Sequence, residues 1–534
     1  MFSQKNKRTA AKAATFSLFL ALVCVGAGPL RNTVRAQQSG GPFEHEVKES
    51  EIADFIKQHS GSGGAEAQAQ DFRQVRLVYL VPSDKAARED YRGAIGNAVL
   101  SLQHFYQQQL GSGFTFSTHA PLVEVRSLSH TSAFYHSLTG SNAFFSTVLN
   151  DGFAVSGGRF NDPNFRWAYY IDADEACGQA VGTASGVALM PANDLRGLTG
   201  QTTIPPCGGA PDGFGYYRWV GGLGHELGHA FGLPHPPGCD NGSCVGGELA
   251  RLSLMYQGYA FYPNTYLLNE NKSALLSTVF FTSFNLIDES EFFVRRHYID
   301  FLGREPDVSG REFWTGGIES CGADAQCRQV KRIDTSAAFF LSIEFQETGF
   351  LAYRTWGAAF GTTRVDGQRA LTRAEFLPDA SRLGQNVIVG QGAWQAQLEA
   401  NKAAYFDEFA ARAAFTSAYP AGMTAAQFVD ALNANAGFTL SAAERDQLVS
   451  ELSSGAKSRA QVLRAVAENA AFTGTQNNPG FVTMEYFGYL RRDPDAPGFA
   501  HWLGKLNSFG GDYRAAEMVK AFIESGEYRS RFGQ

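Results

Sequence analysis

The chain has 534 residues, with 45 lysines and arginines against 52 aspartates and glutamates, and a formal net charge of −7. Hydrophobic residues make up 44% of it and charged residues 18%, which excludes disorder of the whole chain. No basic domain typical of nucleic-acid binding stands out, and beyond the N-terminus no apolar run approaches the ~18 residues of a membrane span.

The N-terminus has the features of a secretory signal peptide. Four basic residues come before residue 13, the apolar stretch Thr15–Gly28 follows, and Val34-Arg35-Ala36 offers a cleavage site. A membrane anchor is the alternative interpretation. We therefore predict that residues 1–36 are removed on bacterial export, which makes the mature protein secreted or associated with the cell surface.

The cysteine count supports export. Removing residues 1–36 leaves six cysteines, an even number that predicts three disulfides in an exported chain. Reduced or unpaired cysteines are an alternative, and six cysteines allow about 15 pairings. Sequence order suggests the pairs Cys177–Cys207, Cys239–Cys244 and Cys321–Cys327.

The polar segment 37–72 has the composition of a linker or a short pro-segment. The ordered chain is predicted to start with a strand at 74–81 and an amphipathic helix at 84–110. Further strands are expected at 114–118, 122–128, 166–172 and 186–192. A strand, a long helix and several more strands predict a mixed sheet with helices packed on it, and so an α+β fold.

Residues 225–235 read HELGHAFGLPH. On a helix, His225 and His229 lie one turn apart, so both imidazoles can reach one metal ion. Glu226 points about 100° away and can address the open position of that ion without binding it. Gly232 tolerates a positive φ and can reverse the chain, which brings in His235 as the third ligand.

Three neutral imidazoles and one water form the ligand set of a catalytic Zn²⁺. One alternative is an amphipathic helix with surface histidines, and another is a zinc site that has lost catalysis. The presence of Glu226 argues against the second alternative.

The eleven-residue string resembles the metzincin zinc-peptidase signature, HExxHxxGxxH. Metzincins carry a methionine turn beneath the metal, and Met255 in Ser253–Tyr256, 20 residues after His235, is the matching methionine. The resemblance covers residues 73–285. It implies a metzincin-like catalytic domain with a mixed sheet, a long helix and a zinc-binding active-site helix.

The resemblance also implies the activity, a zinc-dependent endopeptidase acting on proteins or peptides with Glu226 as general base. In relatives the substrate pairs with the edge strand of the sheet. The strand predicted for that role here contains Gly186, Val187, Ala188 and Leu189. Some metzincins have a zinc-binding tyrosine two residues after the methionine. Here Gln257 takes that position, with Tyr256 and Tyr259 close by, so no subfamily is assigned.

The last 249 residues are predicted to be helical and to contain an internal duplication. Residues 294–345 match 482–528, with the shared string Leu-x-Arg-x-Pro-Asp-x-x-Gly followed by a tryptophan. The string resembles an uncharacterised helical domain appended to bacterial exoproteins and surface-layer proteins. We therefore predict helical modules at 286–362 and 403–534, joined by a connecting segment at 363–402.

These modules are predicted to bind a cell-surface or matrix partner or to stabilise the protein. The rival interpretation of the whole chain is thus a surface- or matrix-binding protein whose zinc domain is secondary or inactive. Trp314 and Trp502 are predicted to be core anchors. A Ca²⁺ site is a weaker alternative to solvated strand ends and turns for three acidic groups: Asp172, Asp174 and Glu175; Glu305 and Asp307; and Asp493 and Asp495.

Overall fold

The computed structural model describes residues 52–60, 73–111, 113–201, 215–239, 244–362 and 371–533. The predicted signal peptide and Cys207 lie outside the described residues. Within the segment predicted as a linker or pro-segment, Ala53–His59 forms a helix whose Ile52 and Ile56 are buried.

A mostly parallel sheet organises the first half of the described chain. Its strands lie in the order β3-β1-β5-β7-β6, with β4 also paired to β1, and β2 pairs separately with β8. The strands are β1 Gln74–Val81, β2 Phe114–Thr115, β3 Ser117–Thr118, β4 Glu124–Ser127, β5 Phe165–Ile171, β6 Val181–Thr183, β7 Val187–Met190 and β8 Thr282–Ser283.

The prediction that residues 186–189 form the edge strand is wrong. Gly186 precedes the strand, and Val187, Ala188 and Leu189 belong to β7, which pairs in parallel with β5 on one side and antiparallel with β6 on the other. Both backbone edges of these residues are therefore used within the sheet. The marginal strand is β6, whose three residues are too few to show an alternation of apolar and polar side chains.

Eight helices accompany the sheet in the described part of the first half. They are α1 Ala53–His59, α2 Glu89–Leu110, α3 Ser132–His136, α4 Ser141–Ser156, α5 Ala192–Leu198, α6 Tyr216–Ala230, α7 Gly247–Arg251 and α8 Asn269–Leu276. A 3₁₀ helix spans Gln257–Phe261.

The described remainder is helical, as predicted, and two π-helices interrupt it at Tyr298–Leu302 and Tyr486–Leu490. Its α-helices are α9 Ser290–His297, α10 Val308–Glu319, α11 Ala325–Leu341, α12 Ile343–Glu347, α13 Gly349–Phe360, α14 Arg373–Gly384, α15 Trp394–Ala411, α16 Ala413–Ala418, α17 Ala425–Asn435, α18 Ala442–Ser453, α19 Arg459–Ala467, α20 Ala470–Glu485, α21 Ala496–Ser508, α22 Met518–Ile523 and α23 Gly526–Arg529. No helix in the described ranges combines the length and the apolar character that crossing a bilayer requires.

Alternation of side chains along the strands gives the sheet two buried faces. Leu77 and Tyr79 of β1 pack on the face that carries α2 and α6, whereas Val78 and Leu80 pack on the face that carries α1 and α4. The first of these cores continues from Val75 into the helical region as far as Phe532. The sheet and the helical region therefore share one hydrophobic core.

The two halves of the sequence duplication, which we term the first copy (294–345) and the second copy (482–528), contain the same elements. Each has a π-helix followed by an α-helix that an aspartate caps. The carboxylate of Asp307 accepts a hydrogen bond from the Gly310 backbone N–H at 3.0 Å, and that of Asp495 accepts one from Gly498 at 2.8 Å.

The shared arginine and tryptophan have equivalent contacts in both copies. Arg304 donates to Glu344 at 2.7 Å, and Arg492 donates to Glu527 at the same distance. The ring of Trp314 lies 5.9 Å from that of Phe339, and Trp502 lies 5.5 Å from Phe522. The motif thus encodes a helix cap, an ion pair and a core aromatic pair.

Two of the predicted disulfides are confirmed, Cys239–Cys244 and Cys321–Cys327. Cys177 is also disulfide-bonded, and its predicted partner, Cys207, lies outside the described residues. Disulfides are consistent with an extracellular protein.

Candidate metal centre

Helix α6 carries the first two predicted ligands. Its last turn closes with hydrogen bonds from the Gly232 N–H to the His229 carbonyl at 2.7 Å and from the Leu233 N–H to the Gly228 carbonyl at 3.0 Å. Gly232 has a φ of +91°, a conformation that favours glycine. The chain therefore reverses after α6, and His235 returns to the helix.

The three histidines converge through their Nε2 atoms. The separations are 3.1 Å between His225 and His229, 3.1 Å between His229 and His235, and 3.2 Å between His225 and His235. A tetrahedral ion with Zn–N bonds of about 2.0–2.1 Å needs nitrogens roughly 3.3–3.4 Å apart. The three nitrogens are therefore spaced for one small metal ion, and imidazole ligands suit zinc.

Backbone carbonyls orient two of these rings. His225 Nδ1 lies 2.8 Å from the Leu254 carbonyl oxygen, and His229 Nδ1 lies 2.7 Å from the Leu233 carbonyl oxygen. A carbonyl only accepts hydrogen bonds, so each neutral ring holds its proton on Nδ1 and points the Nε2 lone pair at the other histidines. Lone pairs brought together in this way repel, and a cation between them removes the repulsion.

Met255 lies fully buried beneath α6. A Cβ placed on Gly228 would overlap the Met255 sulfur and lie 2.9 Å from its Cε. The preceding residue, Leu254, supplies the carbonyl that orients His225. The turn is closed by a hydrogen bond of 3.1 Å from the Tyr256 N–H to the Ser253 carbonyl oxygen. The methionine therefore lies where the predicted turn needs it, although its role stays a prediction.

Glu226 is 7% exposed and lies next to strand β6. A Cβ placed on Gly182 would overlap the Glu226 carbonyl oxygen and lie 2.8 Å from the His229 Cβ. Glycine at this position allows β6 to lie directly against the metal-binding turn of α6. Nothing in the sequence indicated this contact, because Gly182 lies far from the HExxH string.

Aromatic and charged groups surround the histidines. The Tyr259 ring lies 5.2 Å from that of His225, and the Tyr256 ring lies 5.7 Å from that of His235. The Arg218 guanidinium lies 5.0 Å from the centre of the Tyr259 ring. Both tyrosines were noted in the sequence without a role, whereas Arg218 was missed.

A buried tyrosine of the neighbouring strand β5, Tyr170, lies near two carboxylates. Burial raises the pKa of Tyr170 well above its ordinary value, and the carboxylates of Asp194 and Glu226 raise it further. Tyr170 is therefore neutral at physiological pH.

The calcium alternative is not supported, because the acidic side chains have other partners. Asp172 accepts from Lys85 at 2.7 Å, Asp174 pairs with Arg196 at 2.6 Å, and Glu175 accepts from two backbone N–H groups. In the two copies Asp307 and Asp495 cap helices, Glu305 pairs with Arg295 at 2.6 Å, and Asp493 accepts from the Arg373 backbone N–H at 2.6 Å.

Comparisons with known proteins match separate parts of the chain. Residues 469–532 match the profile of a family described as a domain of unknown function, DUF4214. No curated protein matches the chain.

Crystal structures of OgpA from Akkermansia muciniphila are similar to part of the chain. Two wild-type structures match with 19% and 21% identity, over 42% and 41% of this chain, with TM-scores of 0.28 and 0.27. A catalytically inactive OgpA in complex with an O-glycopeptide substrate matches with 18% identity over 42% of this chain, at a TM-score of 0.28. The matches span 66%, 64% and 65% of OgpA, just under two thirds. At these scores the activity of this chain must be argued from its own residues.

Proposed function

We propose that the protein is a secreted zinc-dependent endopeptidase of metzincin-like type. The observation that carries the proposal is the convergence of three histidine Nε2 atoms within 3.2 Å of one another, beside Glu226. His225, His229 and His235 hold the ion, and Met255 supports the helix from below.

Zinc supplies Lewis acidity there, polarising a scissile carbonyl and lowering the pKa of water. The carboxylate of Glu226 accepts the proton of the attacking water, and the peptide bond breaks when the same carboxyl returns that proton to the leaving nitrogen. Burial of Glu226 suits both roles, since a buried carboxyl exchanges a proton with fewer competing waters.

A protein or peptide substrate is best accommodated along β6. Within the described residues this strand has one strand partner, β7, and lies at the margin of the sheet. An extended peptide that pairs with its other backbone edge lies one strand spacing, about 4.8 Å, from β6, whose Gly182 contacts Glu226 and His229. The disulfides support export to an oxidising compartment.

The test is cleavage of a peptide library by the mature zinc-loaded protein and by a Glu226→Ala variant, with zinc content measured for both. We expect internal cleavage by the wild type, a loss of about 10²–10⁴-fold in the variant, and one zinc per chain in both. Equal cleavage by the two proteins, or zinc binding by the wild type without cleavage, would refute the peptidase. Products shortened from one end only would indicate an exopeptidase.

A further inference from the structure

The first copy of the helical motif contacts the segments that carry the metal ligands. Arg295 in α9 is 5% exposed and makes a bidentate pair with Glu305, with donor–acceptor distances of 2.6 and 2.8 Å. Electrostatic coupling links this pair to Tyr216 and Tyr262. Arg295 is thus buried, the Glu305 side chain is 33% exposed, and their charges lie near enough to shift the pKa values of both tyrosines.

Tyr216 is the first residue of α6. The Tyr216 hydroxyl is buried, and no described residue forms a hydrogen bond with it. Burial raises the pKa of Tyr216, and Glu305 raises it further while Arg295 opposes the rise. The hydroxyl therefore stays neutral and is held by packing and by the field of the ion pair.

Tyr262 belongs to the segment that follows the methionine turn. Its hydroxyl lies 2.8 Å from the Ser101 hydroxyl. A Cβ placed on Gly221 of α6 would lie 2.9 Å from the Tyr262 Cβ and would overlap the Tyr259 carbonyl. Tyr259 in turn contacts His225. The Tyr259–Tyr262 segment therefore packs against α6 beside the first ligand.

Helix α2 gives a second connection from the same motif. Asn97 donates to the carbonyl of Pro306 at 3.1 Å and accepts from Arg311 at 3.0 Å. Tyr106, further along α2, donates to the carbonyl of Gly224 at 2.9 Å, one residue before His225. The turn that contains Glu305 and Pro306 is therefore connected to α6 through α2.

The second copy lacks this arrangement. At the duplication offset of 188, Thr483 corresponds to Arg295, and its hydroxyl donates to the Pro479 carbonyl within its own helix at 2.8 Å. The arginine is therefore present in the copy that contacts α2 through Asn97 and has no counterpart in the second copy.

We propose that Arg295, held by Glu305, is a positioning residue for the metal centre. Its pair with Glu305 holds the adjacent Pro306 carbonyl against Asn97 of α2, and α2 in turn holds the Gly224 carbonyl, one residue before His225, through the Tyr106 hydroxyl. The inference rests on the metal site of the proposed function, and not on the reaction performed there.

The experiment compares full-length wild type with Arg295→Met and the milder Glu305→Gln. Arg412→Met is the matched control, because Arg412 also makes a bidentate pair, with Asp379 at 2.6 and 2.9 Å, and lies in the helical region away from α6. The measurements are the zinc Kd by chelator competition, the visible spectrum of the Co²⁺-loaded protein, and hydrogen exchange of residues 216–224 without metal.

For Arg295→Met we expect about tenfold weaker zinc binding, an altered Co²⁺ spectrum and faster exchange in 216–224. Glu305→Gln should change all three readouts in the same direction but less, and it decides the case if Arg295→Met does not fold. Arg412→Met should lower the Tm and leave the three readouts as in the wild type.

Wild-type values for all three readouts in the Arg295 and Glu305 variants would overturn the inference, as would equal changes in Arg412→Met. A wild type that binds no metal would overturn both proposals. A wild type that binds zinc but cleaves no peptide would refute the peptidase and leave the positioning role standing.

Discussion

Buried histidines occur in the region around α6, for which we propose metal binding and which we term the metal-binding region, and in the helical region, and their surroundings differ. In the helical region His297 Nδ1 lies 2.7 Å from the Phe293 carbonyl, and its Nε2 lies 2.8 Å from the Ser336 hydroxyl and 3.2 Å from the Tyr489 hydroxyl. In the metal-binding region the Nε2 atoms of His225, His229 and His235 face one another.

The two regions differ in the groups that lie within hydrogen-bond distance of each histidine Nε2. Hydroxyls can donate to His297, and burial lowers its pKa to about 4, so it is neutral and fully hydrogen-bonded. In the metal-binding region three acceptors converge on one point. A histidine whose two ring nitrogens both have hydrogen-bond partners has a structural role. Several histidines whose acceptor nitrogens face one another are instead arranged as metal ligands.

The first test of this difference is to replace one histidine in each region by alanine. His229→Ala should weaken zinc binding by about three orders of magnitude, because three ligands share a binding free energy of about 10–16 kcal/mol. His297→Ala should bind zinc normally and lower the Tm. Equilibrium dialysis with metal analysis would measure both, and weaker zinc binding in His297→Ala would show that the two regions do not differ as described.

The second test concerns charge in the helical region. The buried Asp300 accepts from Arg296 at 2.5 Å, Arg491 at 2.9 Å and Arg531 at 3.1 Å. Burial opposes its charged form, but the three guanidinium groups outweigh burial and lower its pKa. Asp300→Asn leaves the arginines uncompensated and should cost about 3 kcal/mol of unfolding free energy at pH 7.

The pH dependence of that cost has a defined sign. A carboxyl with a lowered pKa in the folded state stabilises above its unfolded pKa, and this contribution is lost as the pH falls below about 4. Urea unfolding at pH 7 and at pH 3 should therefore show a smaller difference between Asp300→Asn and the wild type at pH 3. An equal difference at both values would contradict the charge-based explanation.

The third test concerns the packing below the metal-binding helix. A Cβ added by Gly228→Ala overlaps the Met255 sulfur and should cost about 1–3 kcal/mol, with weaker zinc binding because α6 shifts. Gly316 in α10 has no atom within 4 Å of an added Cβ, so Gly316→Ala should instead stabilise by about 0.5–1 kcal/mol. Thermal unfolding measures the change in stability, and chelator competition measures the zinc Kd. An unchanged zinc Kd in Gly228→Ala would show that the packing of Met255 against α6 does not affect zinc binding.

The smallest expected effect concerns Glu485, which takes the place of His297 in the second copy. It is 2% exposed, its Oε2 has no hydrogen-bond partner among the described residues, and burial raises its pKa well above the ordinary value. The folded state keeps the proton that the unfolded chain releases, so stability falls as the pH rises above about 4.3.

Glu485→Gln removes this loss and should raise the Tm at pH 7.5 by about 2 °C or more, with little change at pH 4. Calorimetry at the two pH values gives the comparison. A lower Tm at pH 7.5 would mean that the carboxylate is charged and compensated in the folded protein.

Short-range patterns in the sequence predicted the local geometry of the site. The spacing of His225 and His229 and the glycine at 232 depend on helix geometry and backbone freedom, both of which act over a few residues. Contacts across the sheet could not be predicted, because nothing near Gly182 or Arg295 indicates which distant helix they meet. The edge strand was misassigned for the same reason, since strand order depends on pairing between distant segments.

The central claim is that the three histidines bind one zinc ion, and X-ray absorption at the zinc edge tests it most directly. Full-length protein loaded with one equivalent of zinc should show three imidazole nitrogens at about 2.0–2.1 Å in a four-coordinate site, and His229→Ala should lose this signal. Sulfur ligands at about 2.3 Å, or an identical spectrum from His229→Ala, would contradict the account.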